Sequence, residues 1–235
     1  MSLLKKIFVG PNVTLKNPKS AIDVQLDHLK NIWENKTSTI GIERIFRFFL
    51  ILIHFVFPNL YVRNLSGKKG TVSRKLCVEL YVLFKLLSPL FILLFGLEKY
   101  TIICLIIIYL SIETITYLLG IVFLSDIYTK PISFKRSLIL IFINFVEITL
   151  NFAVLYKGFN AIKLSDDVLS PIYFSFVSGT TVGFGDITPI SSMGQILVIF
   201  QSMIFLLFIV VFFSHFISNL SSNFLANKNP KVRSL

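Results

Sequence analysis

The stretch from Thr180 to Asp186 reads TTVGFGD, and its residue types suit one chemistry, the coordination of a bare cation by backbone oxygen. Gly183 and Gly185 alternate with Val182 and Phe184, behind paired threonines and ahead of a carboxylate, with an apolar run on either side. Glycine admits backbone angles that other residues avoid, so such a strand can leave helix and sheet geometry and present its carbonyls on one side. Four such strands around an axis would stack rings of carbonyl oxygens, able to replace the hydration shell of a dehydrated potassium ion. A second group of chemistry-bearing residues lies inside apolar runs, where polar side chains are costly and face protein or water. Asn144, Glu147 and Asn151 fall at i, i+3 and i+7 and share one helical face, and Glu113 lies midway along the preceding run. They suit hydrogen bonding between helices, with proton sensing by Glu113 or Glu147 as the sharper reading. His215, near the end of the last apolar run, has a similar choice between packing and a proton-dependent role. His54 says less. Cys77 and Cys104 lack metal-ligand spacing and do not suggest a disulfide framework. No Walker loop, catalytic triad or metal-ligand cluster occurs, so neither an enzymatic step nor a cofactor is expected.

The elements that must hold these residues are those of a membrane protein. Of 235 residues, 54% are hydrophobic and 15% charged, and the mean hydropathy of +0.79 excludes an ordinary soluble domain. The net charge of +11 falls in segments between apolar runs, as in cytoplasmic loops, and does not indicate a nucleic-acid partner. Residues 1–42 are mixed and polar and are expected in the cytoplasm. MSLLKKIFVG is too short in its apolar part for a signal peptide. The region 43–62 is apolar but interrupted by Arg44, Arg47, His54 and Pro58, so it reads as an interfacial helix or as an extra span, with the interface favoured. A basic loop, residues 63–75, should follow on the cytoplasmic side. Residues 78–124 suggest a transmembrane hairpin turning at 98–100. Residues 125–136 look like an amphipathic linker on the inner surface, and 137–157 like an outward span. Ser170 and Pro171 are a suitable N-cap and first helical position for a helix ending near Gly179, too short to cross. A last span runs from Gly194 to about Asn219, leaving 221–235 as a short cytoplasmic tail. With four spans, every strongly basic loop lies on one side.

The filter-like stretch resembles the signature of the potassium-channel superfamily, in its bacterial-type form with a single pore loop per subunit. Thr181, Val182, Gly183, Phe184, Gly185 and Asp186 each match that pattern, and the resemblance covers about residues 137–220. It implies an all-α membrane protein in which outer helix, re-entrant pore helix, filter and inner helix follow a two-helix hairpin. It also implies a homotetramer, three further copies of the chain being the expected partners, embedded in lipid in a plasma or inner cell membrane with both termini cytoplasmic. By position, the carbonyls of Thr181, Val182, Gly183 and Phe184, with the Thr181 hydroxyl, would hold potassium ions. Gly185 would allow the exit turn, and Asp186 would tie the strand to the pore helix. Tyr173 and Phe174 fall where the family braces its filter with aromatic residues, and Thr180 closes the pore helix.

Departures from the pattern bear on gating. Phe184 lacks the phenol commoner at its position, and Val177 stands where some members have an acid. Phe205 replaces the usual glycine hinge, so a bend there would need another cause. Leu206, Ile209 and Phe213 recur at helical spacing and could face the pore, Phe213 serving as a dewetting constriction or simply packing. No run of arginines at three-residue spacing suggests a voltage sensor. Gating is therefore expected from lipid, tension, pH, a separate regulatory subunit or the amino-terminal region, unless the channel is simply open. The alternatives to a potassium-selective channel are a weakly selective cation channel and an accessory or sensor subunit whose pore-like domain serves assembly.

Overall fold

The computed structural model describes residues 20–34, 41–68, 70–124, 134–163 and 167–228. These residues are helical apart from turns, the irregular stretch Thr180–Asp186 and one isolated bridge between Ile162 and Pro189. Two compact units divide the chain, residues 1–85 and 86–235.

In the first unit, α1 (Ala21–Trp33) starts at Ser20, whose hydroxyl accepts from the Asp23 N–H and donates to Asn64 Oδ1 at 2.8 Å. This helix was not expected within the polar residues 1–42; residues 1–19 and 35–40 lie outside the described ones. α2 (Ile42–His54) and α3 (Pro58–Gly67) are separated by a break at residues 55–57 and bent by 67°. Pro58 at the first turn of α3 fits its fixed φ and missing N–H. The expected basic loop 63–75 is corrected to mostly helix: α3 continues to Gly67 and α4 (Thr71–Phe95) begins four residues later. Lysine and arginine are good helix formers, so a basic run alone does not make a loop.

The second unit begins within α4. A 3-10 turn at Leu97–Lys99 leads to α5 (Thr101–Phe123), and α6 (Phe134–Gly158), α7 (Leu169–Gly179) and α8 (Ser192–Lys228) follow. Phe134 to Arg136, expected in the surface linker, belong to the first turn of α6, while 125–133 lie outside the described residues. α8 continues to Lys228, through most of the proposed tail. Its 37 residues rise about 55 Å, well beyond its apolar part. Among the described residues, four helices are long and apolar enough to cross a membrane: Ser73–Leu94, Thr101–Phe123, Phe134–Gly158 and Ser192–Ser214. α6 is the most enclosed of them, with α5, α7 and α8 all packed on it.

The turn between α4 and α5 is locked to the end of α6. Lys157 Nζ lies 3.2 Å from Glu98 Oε1, and the Glu98 side chain is fully buried. Cys104 donates to the Glu98 carbonyl at 3.3 Å, directly over Gly158. A Cβ on Gly158 would stand 2.5 Å from Cys104 Sγ and 2.9 Å from the Glu98 carbonyl oxygen, so only glycine permits this approach.

Candidate ion pathway

α7 leads directly into the Thr180–Asp186 stretch. The helix begins two residues earlier than the expected Ser170–Pro171 cap: its first residue is Leu169, and Asp167 Oδ1 accepts the Ser170 N–H at 3.1 Å. A carboxylate satisfies an N-terminal donor and also complements the positive end of the helix, which is why the start moves upstream. Pro171 then falls third in the helix, where its missing N–H still costs nothing.

At the other end of α7 the chain turns sharply through the filter. The N–H groups of Thr180, Thr181, Val182 and Gly183 donate in succession to Phe176, Ser178, Val177 and Val177, at 2.9, 3.1, 3.0 and 3.3 Å. Val177, singled out for a side chain that is not an acid, thus contributes through its backbone carbonyl. Thr181, Gly183 and Gly185 have φ of 59°, 59° and 80°, in the left-handed region, alternating with residues that do not. Every second residue therefore reverses the usual strand alternation, which is how a short segment aligns successive carbonyls. Glycine adopts this backbone without strain; Thr181 does so against its side chain's preference. Among the described residues no hydrogen bond is made to the carbonyls of Thr181, Val182, Gly183 or Phe184. Val182 is 55% exposed and Phe184 70%.

The strand is braced at its exit. Tyr173 Oη donates to Asp186 Oδ2 at 2.8 Å, joining the first half of α7 to the end of the filter stretch. That hydrogen bond favours the neutral phenol and raises the Tyr173 pKa above its ordinary value. Phe174 is buried edge-on against Tyr156, with ring centroids 4.8 Å apart. Thr180 Oγ1 turns back to the Phe176 carbonyl.

Among α6, α7 and α8 lies a polar cluster that sequence reasoning missed. Tyr156 Oη on α6 donates to Gln201 Oε1 on α8 at 2.7 Å, and Gln201 Nε2 donates to the carbonyl and hydroxyl oxygens of Ser175 on α7, at 2.8 and 2.9 Å. Ser175 in turn donates to the Thr149 carbonyl. All four residues are buried. Their polar character within apolar runs was the available signal, but nothing local in the sequence joins positions on three separate helices.

The expected cluster on α6 is present as a hydrogen-bonded group facing α5. Thr114 Oγ1 donates to Glu147 Oε2 at 2.9 Å, and Asn151 Nδ2 donates to Glu147 Oε1 and Ser111 Oγ, both at 3.1 Å. Asn144 and Glu113 are also buried. Phe205 does not stand at a bend: α8 is continuous there, and the ring packs on Phe145 with centroids 6.0 Å apart. Leu206, Ile209 and Phe213 are exposed on the single chain. The side chain of His215 lies outside the described ones.

Residues 138–222 match the family model described as an ion channel. That segment is similar to ion channels. It includes α7, the filter strand, nearly all of α6 and most of α8, and the family is one of channels and not of enzymes. No curated protein and no solved structure matches the chain. The apolar helices suit a membrane-embedded protein, and the segment within it that resembles ion channels is residues 138–222.

Proposed function

We propose that four copies of the chain form a passive, potassium-selective channel, with Thr181, Val182, Gly183 and Phe184 lining its axis. The observation that carries this reading is the filter backbone: its N–H groups are drawn to the end of α7, its φ angles alternate in sign, and its carbonyls are left without donors. Such carbonyls in a low-dielectric setting are costly unless something replaces the missing hydrogen bonds, and a ring of four sets can do so with a dehydrated cation. The C-terminal end of α7 adds partial negative charge directed at the same point. One chain supplies one strand, so the site needs a closed ring of copies. Potassium ions are the permeant species and the occupants of the filter, and no other cofactor has a role. The lack of an arginine series at three-residue spacing in the apolar runs supports gating by something other than an intrinsic voltage sensor.

The test is flux from purified protein in vesicles. A potassium gradient should dissipate through the wild-type protein, and Gly183→Ala should abolish flux while the oligomer persists by size. Equal sodium and potassium permeation would replace this reading with a weakly selective cation channel. An intact oligomer that passes no ion under changes of pH, tension and lipid would replace it with an assembly role.

A further inference from the structure

We propose that the bent pair α2–α3 lies along the membrane surface as a lipid-binding element and does not cross as a fifth span. The inference rests on the first unit and is independent of ion selectivity.

α2 is two-sided. Ile42, Ile45, Phe49 and Leu52 are exposed and recur at i, i+3, i+7 and i+10, forming one apolar stripe, and on α3 Tyr61 and Leu65 are exposed too. On the other side Leu50, Ile51 and Arg47 are buried, and Arg44 Nη2 donates to the Ile32 carbonyl at 2.8 Å, closing the C-terminal end of α1. Thus α1 covers the side of α2 opposite the stripe. α1 itself keeps Asp23, Asp27, Lys30 and Glu34 exposed. Were α2 to cross the bilayer, it would carry this charged helix into the hydrocarbon, where each ionised side chain costs several kcal/mol. With the stripe in lipid and the charged side chains of α1 in water, both sides are satisfied at once, Trp33 at the end of α1 lying beside Phe48 at the boundary.

Length and charge agree. The 13 residues of α2 and the 10 of α3 rise about 20 and 15 Å, each short of the hydrocarbon thickness, and the 67° bend prevents their addition in one direction. Only residues 68–72 separate α3 from the first span at Ser73, so α3 is tethered at the surface. Between Arg63 and Lys75 the chain has Arg63, Lys68, Lys69, Arg74 and Lys75 and no acid. The occupant that meets both the stripe and these charges is an anionic phospholipid leaflet.

The test uses the full chain in phosphatidylcholine–phosphatidylglycerol vesicles, with Cys77→Ala and the buried Cys104 retained. Nitroxides placed singly by Ile42→Cys, Ile45→Cys, Phe49→Cys and Leu52→Cys report depth from collisions with oxygen and with a nickel chelate. All four should lie at one shallow depth, about 5–10 Å below the headgroups, while a label from Asp27→Cys stays accessible to the chelate. A progressive change of about 15 Å from position 42 to 52 overturns the proposal in favour of a span. Labels open to the chelate, or shielded from both reagents, overturn it in favour of water or protein on that face. Trp33, whose ring centroid is 6.1 Å from that of Phe48, gives a reading with no substitution. It should be quenched more by lipids brominated near the headgroup than by those brominated near the chain end, and the reverse order overturns the proposal.

Discussion

Tyr173 and Asp186 are thirteen residues apart in sequence, and their bond closes the loop that the filter strand makes. Tyr173→Phe removes the donor but keeps the ring, so the strand loses its tie at the exit while the fold is retained. Under the channel reading, currents from this variant should decay faster during sustained conduction than wild-type currents, measured in planar bilayers. Since the bond raises the pKa of the phenol, it persists at neutral pH and is lost only as the solution becomes strongly alkaline, where the two proteins should converge. Gln201 is the other residue on which the filter's surroundings depend. Gln201→Leu leaves the Tyr156 hydroxyl and the Ser175 oxygens without their partner inside the bundle. The loss should be about 1–3 kcal/mol, read as a lower thermal midpoint of the purified protein. TTVGFGD was legible because glycines and threonines are so unlike their apolar flanks. Gln201, Ser175 and Tyr156 were not, since their meeting depends on packing among three helices.

The elements were legible to the extent that apolar length defines them. α5 and α6 follow their apolar runs closely. The misread boundaries lie where polar residues continue a helix: α8 extends through SNLSSNFLANK, and α4 starts inside the basic run. Helix propensity carries both onward after hydrophobicity has stopped marking them. Asp167, rather than Ser170, captures the first turn of α7 because a nearby carboxylate is the stronger acceptor. At this scale the lock between Glu98 and Lys157 gives a double-mutant test. Removing one partner of a buried pair leaves an uncompensated charge, so Lys157→Met should destabilise the protein by about 3–5 kcal/mol. Lys157→Met with Glu98→Gln should recover much of that loss, because no charge then remains buried. Thermal unfolding in detergent of the two single variants and the double one measures the coupling. Equal losses for Lys157→Met and the double variant would show that the charge is not what holds the turn.

At the scale of the whole molecule, four crossings would leave residues 27 and 228 on the same side of the membrane. Cysteines introduced singly at Asp27 and Lys228, with Cys77 replaced, should react with a membrane-impermeant maleimide from the same side of sealed vesicles. Reaction from opposite sides would mean an odd number of crossings and a transmembrane path for the α2–α3 pair. The sequence alone could not decide that count, because Arg44, Arg47, His54 and Pro58 weaken the apolar run without showing that a second helix covers their side. The exposed filter strand has a further consequence for mixtures. If each copy contributes a quarter of every ring, one faulty strand spoils a ring that three sound strands cannot complete. Wild-type and Gly183→Ala chains produced together in equal amounts and assembled at random would leave about one tetramer in sixteen free of the variant, so potassium flux should fall far below half, and a fall to only half would mean that each copy conducts alone.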